Sequence, residues 1–423
     1  MSHTSKISDG ACDHVTEFRL VHADCTWSRQ TADSERIEGQ LSDAKIYESA
    51  SEDGVTWTVV SPIVFTYRVI QCERLLDASN DTLLFGHISN PTELQALNNN
   101  SKVMKRFVVI DETVNDLYGS QVAAYFKARG VMYKILPLPT TEENKSMTLV
   151  TKILEEVHKF GIDRRTEPII AIGGGVCLDI TGAKTGVNFA NCKNKLGSYI
   201  PPVAALLDRS FLCTLPRRHI SNGMAEMLKM ALMKHRQLFE LLEKEGRHLL
   251  DSSFQTLSKI PENVHTDAAS LSMRLSIETM LEELAPNLWE DDLDRLVDFG
   301  HIISPELEMK ILPALLHGEA VNIDMAFMVY VAHERGFLTE EEKRRIIVCM
   351  RNLDLPVWHS DCTLDLVLKS IAERLKHSGG RLRMPLPTAL GKARIFNDTE
   401  ESTVCQAFKK WCDEQCETTM KPE

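Results

Sequence analysis

Apolar residues first show strand periodicity between residues 56 and 72, where TWTVVSPIVFTYRVIQC alternates in places and is rich in β-branched side chains. DTLLFGH follows, and then KRFVVID (105–111) reads as a buried strand. A helical stretch around Gln121 to Arg129 leads into a second strand candidate, VMYKILPL. Lys145 to Phe160 repeats apolar residues at helical spacing, and EPIIAIGGG closes a further strand on three glycines. Strand, helix, strand, helix, strand in this order predicts a parallel sheet with helices on its faces. Residues 1 to about 55 carry Ser, Asp, Glu and Thr with little apolar periodicity, which suits a flexible or loosely attached extension.

Beyond Asp208 the periodicity becomes helical. SNGMAEMLKMALMKHRQLFELLEKEG sets Met224, Leu228, Ala231, Leu232 and Leu238 on one helical period, with Gly246 as a plausible stop. Amphipathic runs continue over 266–285, 304–316, 319–335 and 364–375. The expected architecture is an extension (1–55), an α/β dinucleotide-binding domain with a parallel sheet (56–206) and an all-α domain (207–423). A chain of 423 residues exceeds what one core usually serves, so two domains agree with its length.

Composition narrows the function classes. The formal charge of −12 opposes non-specific attraction to nucleic acid or anionic lipid, yet leaves room for a local basic pocket that takes a phosphorylated substrate. No apolar run approaches bilayer length, and MSHTSKISDGACDHVTEF is too polar for a secretory signal, so neither nucleic acid nor membrane is an expected partner and the cytoplasm is the expected compartment. The 11 cysteines are scattered and odd in number, which reads as reduced thiols.

Two groups of residues have chemistry to offer. Gly173, Gly174 and Gly175 directly follow a strand, where missing side chains let backbone N–H groups approach a pyrophosphate; a purely structural turn has the same signature, and GxGxxG spacing is lacking. Asp111 could accept from an adenosine ribose or simply form the strand-end turn. Glu226, His301 and His317 have the residue types of a catalytic divalent-metal site with open positions, although each alone also reads as an ordinary surface or core residue. Lys229 shares a helix face with Glu226, to orient substrate or to pair with it. Lys184, Lys193 and Asn194 could donate to a phosphate or belong to a solvated basic loop.

These motifs are not independent. GGGVCLD, KTGVNFANCKNKLGSY, FLCTLPRRHISNGMAEMLKMA, FGHIISPELE and HGEAVNIDMA follow one another in an order that resembles the dehydroquinate synthases and their sugar-phosphate cyclase relatives, from about Phe107 to Asn397. The resemblance implies NAD contacts at Asp111, Glu142, Lys145, Gly173, Gly174, Gly175, Asp179, Thr214 and Leu215. It implies a metal, zinc or cobalt, on Glu226, His301 and His317, with Lys184, Lys193, Asn194 and Lys229 facing substrate, and a homodimer. Dehydroquinate synthases typically read GHxxGHA where this chain reads GHIISPELE, so Pro305 replaces a histidine, as in the sedoheptulose 7-phosphate cyclases. Asp294 and Asp298 stand where dehydroquinate synthases typically have Arg and Asn, the Arg answering a substrate carboxylate. Sedoheptulose 7-phosphate has none, so an acidic pocket suits it. Asp298 together with His377 looks like the valiolone synthases; the desmethyl-4-deoxygadusol synthases tend to carry Ala and Thr there. The implied reaction is a cyclisation without net redox: a hydroxyl is oxidised, the acidified neighbouring C–H permits phosphate loss, the hydride returns, and an aldol closes the ring.

Two departures stand out. Ile302 replaces the Thr of the usual GHT motif, which is expected to loosen His301. More seriously, only ITGA separates Asp179 from Lys184, where the family has a helix, a strand with a nucleotide-binding threonine pair and an aspartate turn. About one βαβ crossover, on the order of 30 residues, is missing. A parallel crossover needs about a dozen residues or more, so the sheet is expected to lose a strand or be rewired and the chain to be impaired.

Overall fold

The computed structural model describes residues 19–25, 44–51, 54–60, 66–88, 90–98, 102–163, 166–181, 186–189, 192–197, 201–255, 259–260, 263–289 and 292–419. The chain packs as two compact units, one of Met1–Ile70, Asp81–Lys102 and Val203–Leu206, the other of Gln71–Asn80, Val103–Pro202 and Leu207–Glu423. A cut after residue 206 coincides with the end of the Val203–Leu206 segment of the first unit.

In the first unit β1 (Arg19–Cys25), β2 (Ala44–Ser51) and β3 (Gly54–Val60) form an antiparallel sheet with β2 central. The first two strands fall within the stretch read as an extension; their apolar positions are too few and too polar in context for alternation to announce them. β4 (Arg68–Cys72) comes next, followed by α1 (Thr82–Phe85) and α2 (Pro91–Asn98), the latter opening on the proline that suits a first helical turn.

In the second unit β5 (Lys105–Asp111) leads through α3 (Glu112–Ala128) to β6 (Met132–Leu138), and α4 (Met147–Phe160) leads to β7 (Ile169–Ile172). The strands run parallel in the order β6-β5-β7. Phe107, Val108, Val109 and Ile110 of β5 are fully buried, as a central strand covered on both faces requires. Asp111 caps α3 by accepting from the Val114 N–H at 3.2 Å.

After α5 (Gly175–Thr181), β8 (Val187–Phe189) and β9 (Cys192–Leu196) form a hairpin that, among the described residues, pairs with no other strand. Among the described residues β7 has no partner beyond β5, so the sheet ends where the crossover is missing. Lys184 lies outside the described residues.

Past β10 (Ala204–Asp208), which pairs with β4, the second unit is helical. The helix expected from Ser221 to Gly246 is two helices, α6 (Arg217–Lys234) and α7 (Arg236–Asp251), divided at His235, whose Nδ1 accepts from the Leu238 N–H at 3.2 Å. Gly246 does not stop α7: a Cβ there would lie 2.5 Å from Leu353 Cδ2, so the glycine serves close packing. The hairpin of β11 (Lys259–Ile260) and β12 (Asn263–Asp267) precedes α8 (Ala268–Leu284). Next come α9 (Ser304–Ile311), α10 (His317–Glu334), α11 (Glu340–Asn352) and α12 (Leu364–His377). A second hairpin, β13 (Met384–Ala389) with β14 (Lys392–Phe396), interrupts the helices before α13 (Glu401–Thr419).

Every residue of α10 from Gly318 to Ala332 is buried, which makes it the axis of this unit, with α6, α9, α11, α13 and β13 packed on it. No helix among the described residues is long and apolar enough to cross a membrane.

Candidate active site

Three separated elements bring the expected metal ligands together. Glu226 projects from α6, His301 follows a left-handed Gly300 (φ +77°), and His317 opens α10. One donor atom from each lies within 4.8 Å of the others. Both imidazole Nε2 atoms are 3.7 Å from Glu226 Oε1, and that oxygen is buried without a hydrogen-bond partner among the described residues. A buried, unsatisfied carboxylate oxygen facing two imidazole nitrogens fits a divalent cation.

The surrounding groups prepare the ligands. Burial opposes ionisation of Glu226, but the Lys229 ammonium, 2.6 Å from its Oε2, and the two imidazoles override it and hold the carboxyl at about 2. Burial, reinforced by Lys229, lowers His301 to about 3, so its ring is neutral and able to ligate near pH 7. His301 Nδ1 lies 3.2 Å from the Phe299 carbonyl, and donation there leaves Nε2 with the lone pair.

His317 is anchored by Glu308 of α9, a residue sequence reasoning did not single out. Its buried Oε2 accepts from His317 Nδ1 at 2.9 Å and from Lys193 Nζ at 2.5 Å; the 3.0 Å between the two nitrogens is then a contact of two donors sharing one acceptor. Lys193, expected to face phosphate, forms an ion pair with Glu308 beside the candidate ligand His317.

Burial works to raise the Glu308 carboxyl, yet His317 and Lys193 hold it at about 2. Because this lies below the ordinary unfolded value, the stabilisation is complete above about pH 4.5 and fades as the pH falls towards 2, on the order of 3 kcal/mol in all. The stability gap between metal-free wild type and Glu308→Gln, measured by urea denaturation, should therefore be widest above pH 4.5 and close on acidification.

The expected nucleotide residues also gather. A Cβ on Gly173 would lie 2.7 Å from that of Cys177 and 3.2 Å from that of Asp111, whereas nothing lies within 4 Å of one on Gly174 or Gly175. The first glycine therefore serves the turn, and the other two leave the backbone open to approach. Asp111 also accepts from the Thr140 hydroxyl. Lys145, almost wholly buried, places Nζ 2.6 Å from both Asp179 Oδ2 and Asn194 Oδ1, with Glu142 Oε1 at 3.8 Å. Asn188 Nδ2 donates to that Glu142 oxygen at 2.9 Å. Asn194, expected at the substrate, is therefore part of this knot. Thr214 Oγ1 is 2.7 Å from the Tyr118 hydroxyl, and Leu215 is exposed.

The two aspartates expected to line an acidic pocket both pair with arginines. Asp294 accepts from Arg383 at 2.7 Å, and Asp298 sits between Arg295 and Arg374, each at 2.9 Å, so guanidinium groups offset both carboxylates. Pro305 lies in the first turn of α9, where a missing N–H is harmless. His377 ends α12, and its side chain lies outside the described residues. Ile302 is buried and contributes its backbone N–H rather than a hydroxyl to holding the loop after His301.

A carboxylate and two imidazoles in the same compact unit as a glycine-turned parallel sheet are the makings of an enzyme that joins a metal to a nucleotide. The C-terminal domain family of 3-dehydroquinate synthase matches residues 223–377, and the N-terminal one matches 181–222. A 2-epi-5-epi-valiolone synthase of Streptomyces hygroscopicus subsp. jinggangensis (strain 5008) is 40% identical over 390 residues, covering 85% of this chain and 91% of the relative. A demethyl-4-deoxygadusol synthase of Trichormus variabilis is 32% identical over 328 residues, covering 71% of this chain and 79% of the relative. The structure of ValA, the 2-epi-5-epi-valiolone synthase of the same Streptomyces, with NAD+ and Zn2+ bound, is similar with a TM-score of 0.74 at 39% identity, covering 85% of this chain and 100% of that one. The chain belongs to the dehydroquinate synthase family, among its sugar-phosphate cyclases.

Proposed function

We propose that this chain is a 2-epi-5-epi-valiolone synthase, cyclising sedoheptulose 7-phosphate with loss of phosphate, and that its shortened nucleotide domain impairs it. The observation that carries the reading is the convergence of Glu226, His301 and His317 on one cation-sized space within the unit that holds the Gly173–Gly175 turn. Membership among the sugar-phosphate cyclases supports it.

Zinc or cobalt on these three residues supplies polarisation of substrate oxygens. NAD, held at the glycine turn with Asp111, Glu142, Lys145, Asp179, Thr214 and Leu215, supplies a hydride acceptor that is restored within the turnover. The chain's own side chains do the rest. Lys184 binds the phosphate end, joined there by Lys193 from its pair with Glu308 and by Asn194 from its bond to Lys145, and Lys229 presents an ammonium to the oxygens beside Glu226. Asp298, oriented by Arg295 and Arg374, acts with His377 on the sugar hydroxyls, Asp294 lines the same end, and Pro305 leaves no second imidazole there. Family likeness extends the reading to a cytoplasmic homodimer, and the net charge of −12 supports a partner list without nucleic acid or membrane.

The test supplies sedoheptulose 7-phosphate, NAD and zinc to the 423-residue chain and to a version with a family-length segment between Asp179 and Lys184. The longer form should make 2-epi-5-epi-valiolone with no net NADH, and the shorter one little or none. Robust turnover by the shorter chain would refute the impairment, desmethyl-4-deoxygadusol would reassign the cyclase, and accumulating NADH would indicate a dehydrogenase. The abrupt join favours one second reading, a non-catalytic metal-binding protein, for which retained zinc without NAD binding would speak.

A further inference from the structure

We propose that Asp324 is a positioning residue for the metal site: from α10 it holds the loop that presents His301, so that a single helix sets both imidazoles. The inference rests on Glu226, His301 and His317 being metal ligands. Asp324 is fully buried on a helix face otherwise made of Ala320, Val321, Phe327 and Met328. Its Oδ2 accepts three successive backbone N–H groups, from Ile302 at 2.7 Å, Ile303 at 2.5 Å and Ser304 at 2.9 Å. These donors lie at the start of α9, where no preceding turn can satisfy them, and a carboxylate there forms charge-assisted bonds with them.

All three belong to the residues immediately after His301. The rest of the loop is tied to the same helix: Ser304 Oγ donates to the Gly300 carbonyl at 2.7 Å, and a Cβ on Gly300 would lie 2.6 Å from Met325 Cγ. His317 opens α10 two turns before Asp324, on the same side of the helix. Glu308 returns from α9 to His317 Nδ1, so the two helices brace each other's ligand. A buried carboxylate is unfavourable unless its hydrogen bonds repay desolvation; Oδ1 has no hydrogen-bond partner among the described residues, and the three bonds of Oδ2 are all directed at this one loop.

Full-length wild type, Asp324→Asn and Asp324→Ala are titrated with zinc against a chromophoric chelator, and their cobalt forms are compared by visible absorption. Zinc affinity should fall about 10-fold in the Asn variant, which keeps one acceptor, and about 100-fold in the Ala variant. The cobalt band should shift as His301 leaves its position. Folded variants that bind zinc within about twofold of wild type, with an unchanged cobalt spectrum, would overturn the proposal even if their melting temperatures drop. Failure of both variants to fold would also count against it, because Asp324 would then be holding the core. Wild type that takes up no zinc would instead sink the metal reading itself.

Discussion

Gly318→Ala should lower both stability and metal affinity more than the loss or gain of a single methyl group ordinarily does. A Cβ at this position would stand 2.0 Å from the backbone carbonyl oxygen of Asn222 and 2.8 Å from its Oδ1, far inside contact distance. The obstacle is main chain in the middle of α6, so no rotamer change relieves it. The helices must separate, and α10, buried along its length, has little room to move. Separation also weakens the cap by which Asn222 Oδ1 accepts from the N–H groups of Gly318 at 2.6 Å and Glu319 at 3.3 Å. Overpacking together with a weakened cap amounts to roughly 2–4 kcal/mol. His317 precedes the substituted residue, so it moves with the helix start, and an error of about 1 Å at a site residue is worth about 100-fold in function. Thermal denaturation and zinc titration check this together: a fall of several degrees with sharply weaker zinc binding is expected. An unchanged melting temperature would mean that α6 and α10 are not in this close approach.

Glu226→Gln should abolish tight metal binding while keeping the shape of the site. The amide matches the carboxyl in size but removes the negative charge that faces both imidazoles and the Lys229 ammonium, which is itself buried and 2.6 Å from Glu226 Oε2. Breaking a buried pair by removing one partner is worth about 3–5 kcal/mol, equivalent to about 100-fold to a few thousandfold in an equilibrium constant. Part of that loss should appear as lower stability of the metal-free protein, since the buried Lys229 loses the partner 2.6 Å away, and the rest as weaker zinc binding. Glu226→Asp keeps the charge and should recover part of both. Competition with a chelator and urea denaturation separate the two effects; zinc affinity retained in the Gln variant would remove Glu226 from the ligand set.

The first βαβαβ run was readable because each part carries a local signal. The apolar core of β5, the amphipathic α4 and the glycines after β7 each declare themselves within a few residues. The hairpin at Lys392 carries a turn glycine, but its strands are short and contain two prolines, Pro385 and Pro387, which hide the alternation. Gly246 misled for a different reason: a glycine that admits a neighbouring side chain looks, within its own helix, like a glycine that ends one.

Sequence alone determined which residues are the candidate ligands and the order of the motifs, because residue chemistry and spacing along the chain are local properties. It also exposed the short join after Asp179, since the length of a parallel crossover is a matter of chain geometry. Only the tertiary structure decided what holds those ligands. Glu308 on His317, Asp324 on the loop after His301, and Asn222 against Gly318 each act across helices or on backbone N–H groups far away in sequence. The same packing paired Asp294 and Asp298 with arginines. Such contacts depend on how helices cross, and the pattern of apolar residues specifies which faces are buried, not which polar atoms meet between them.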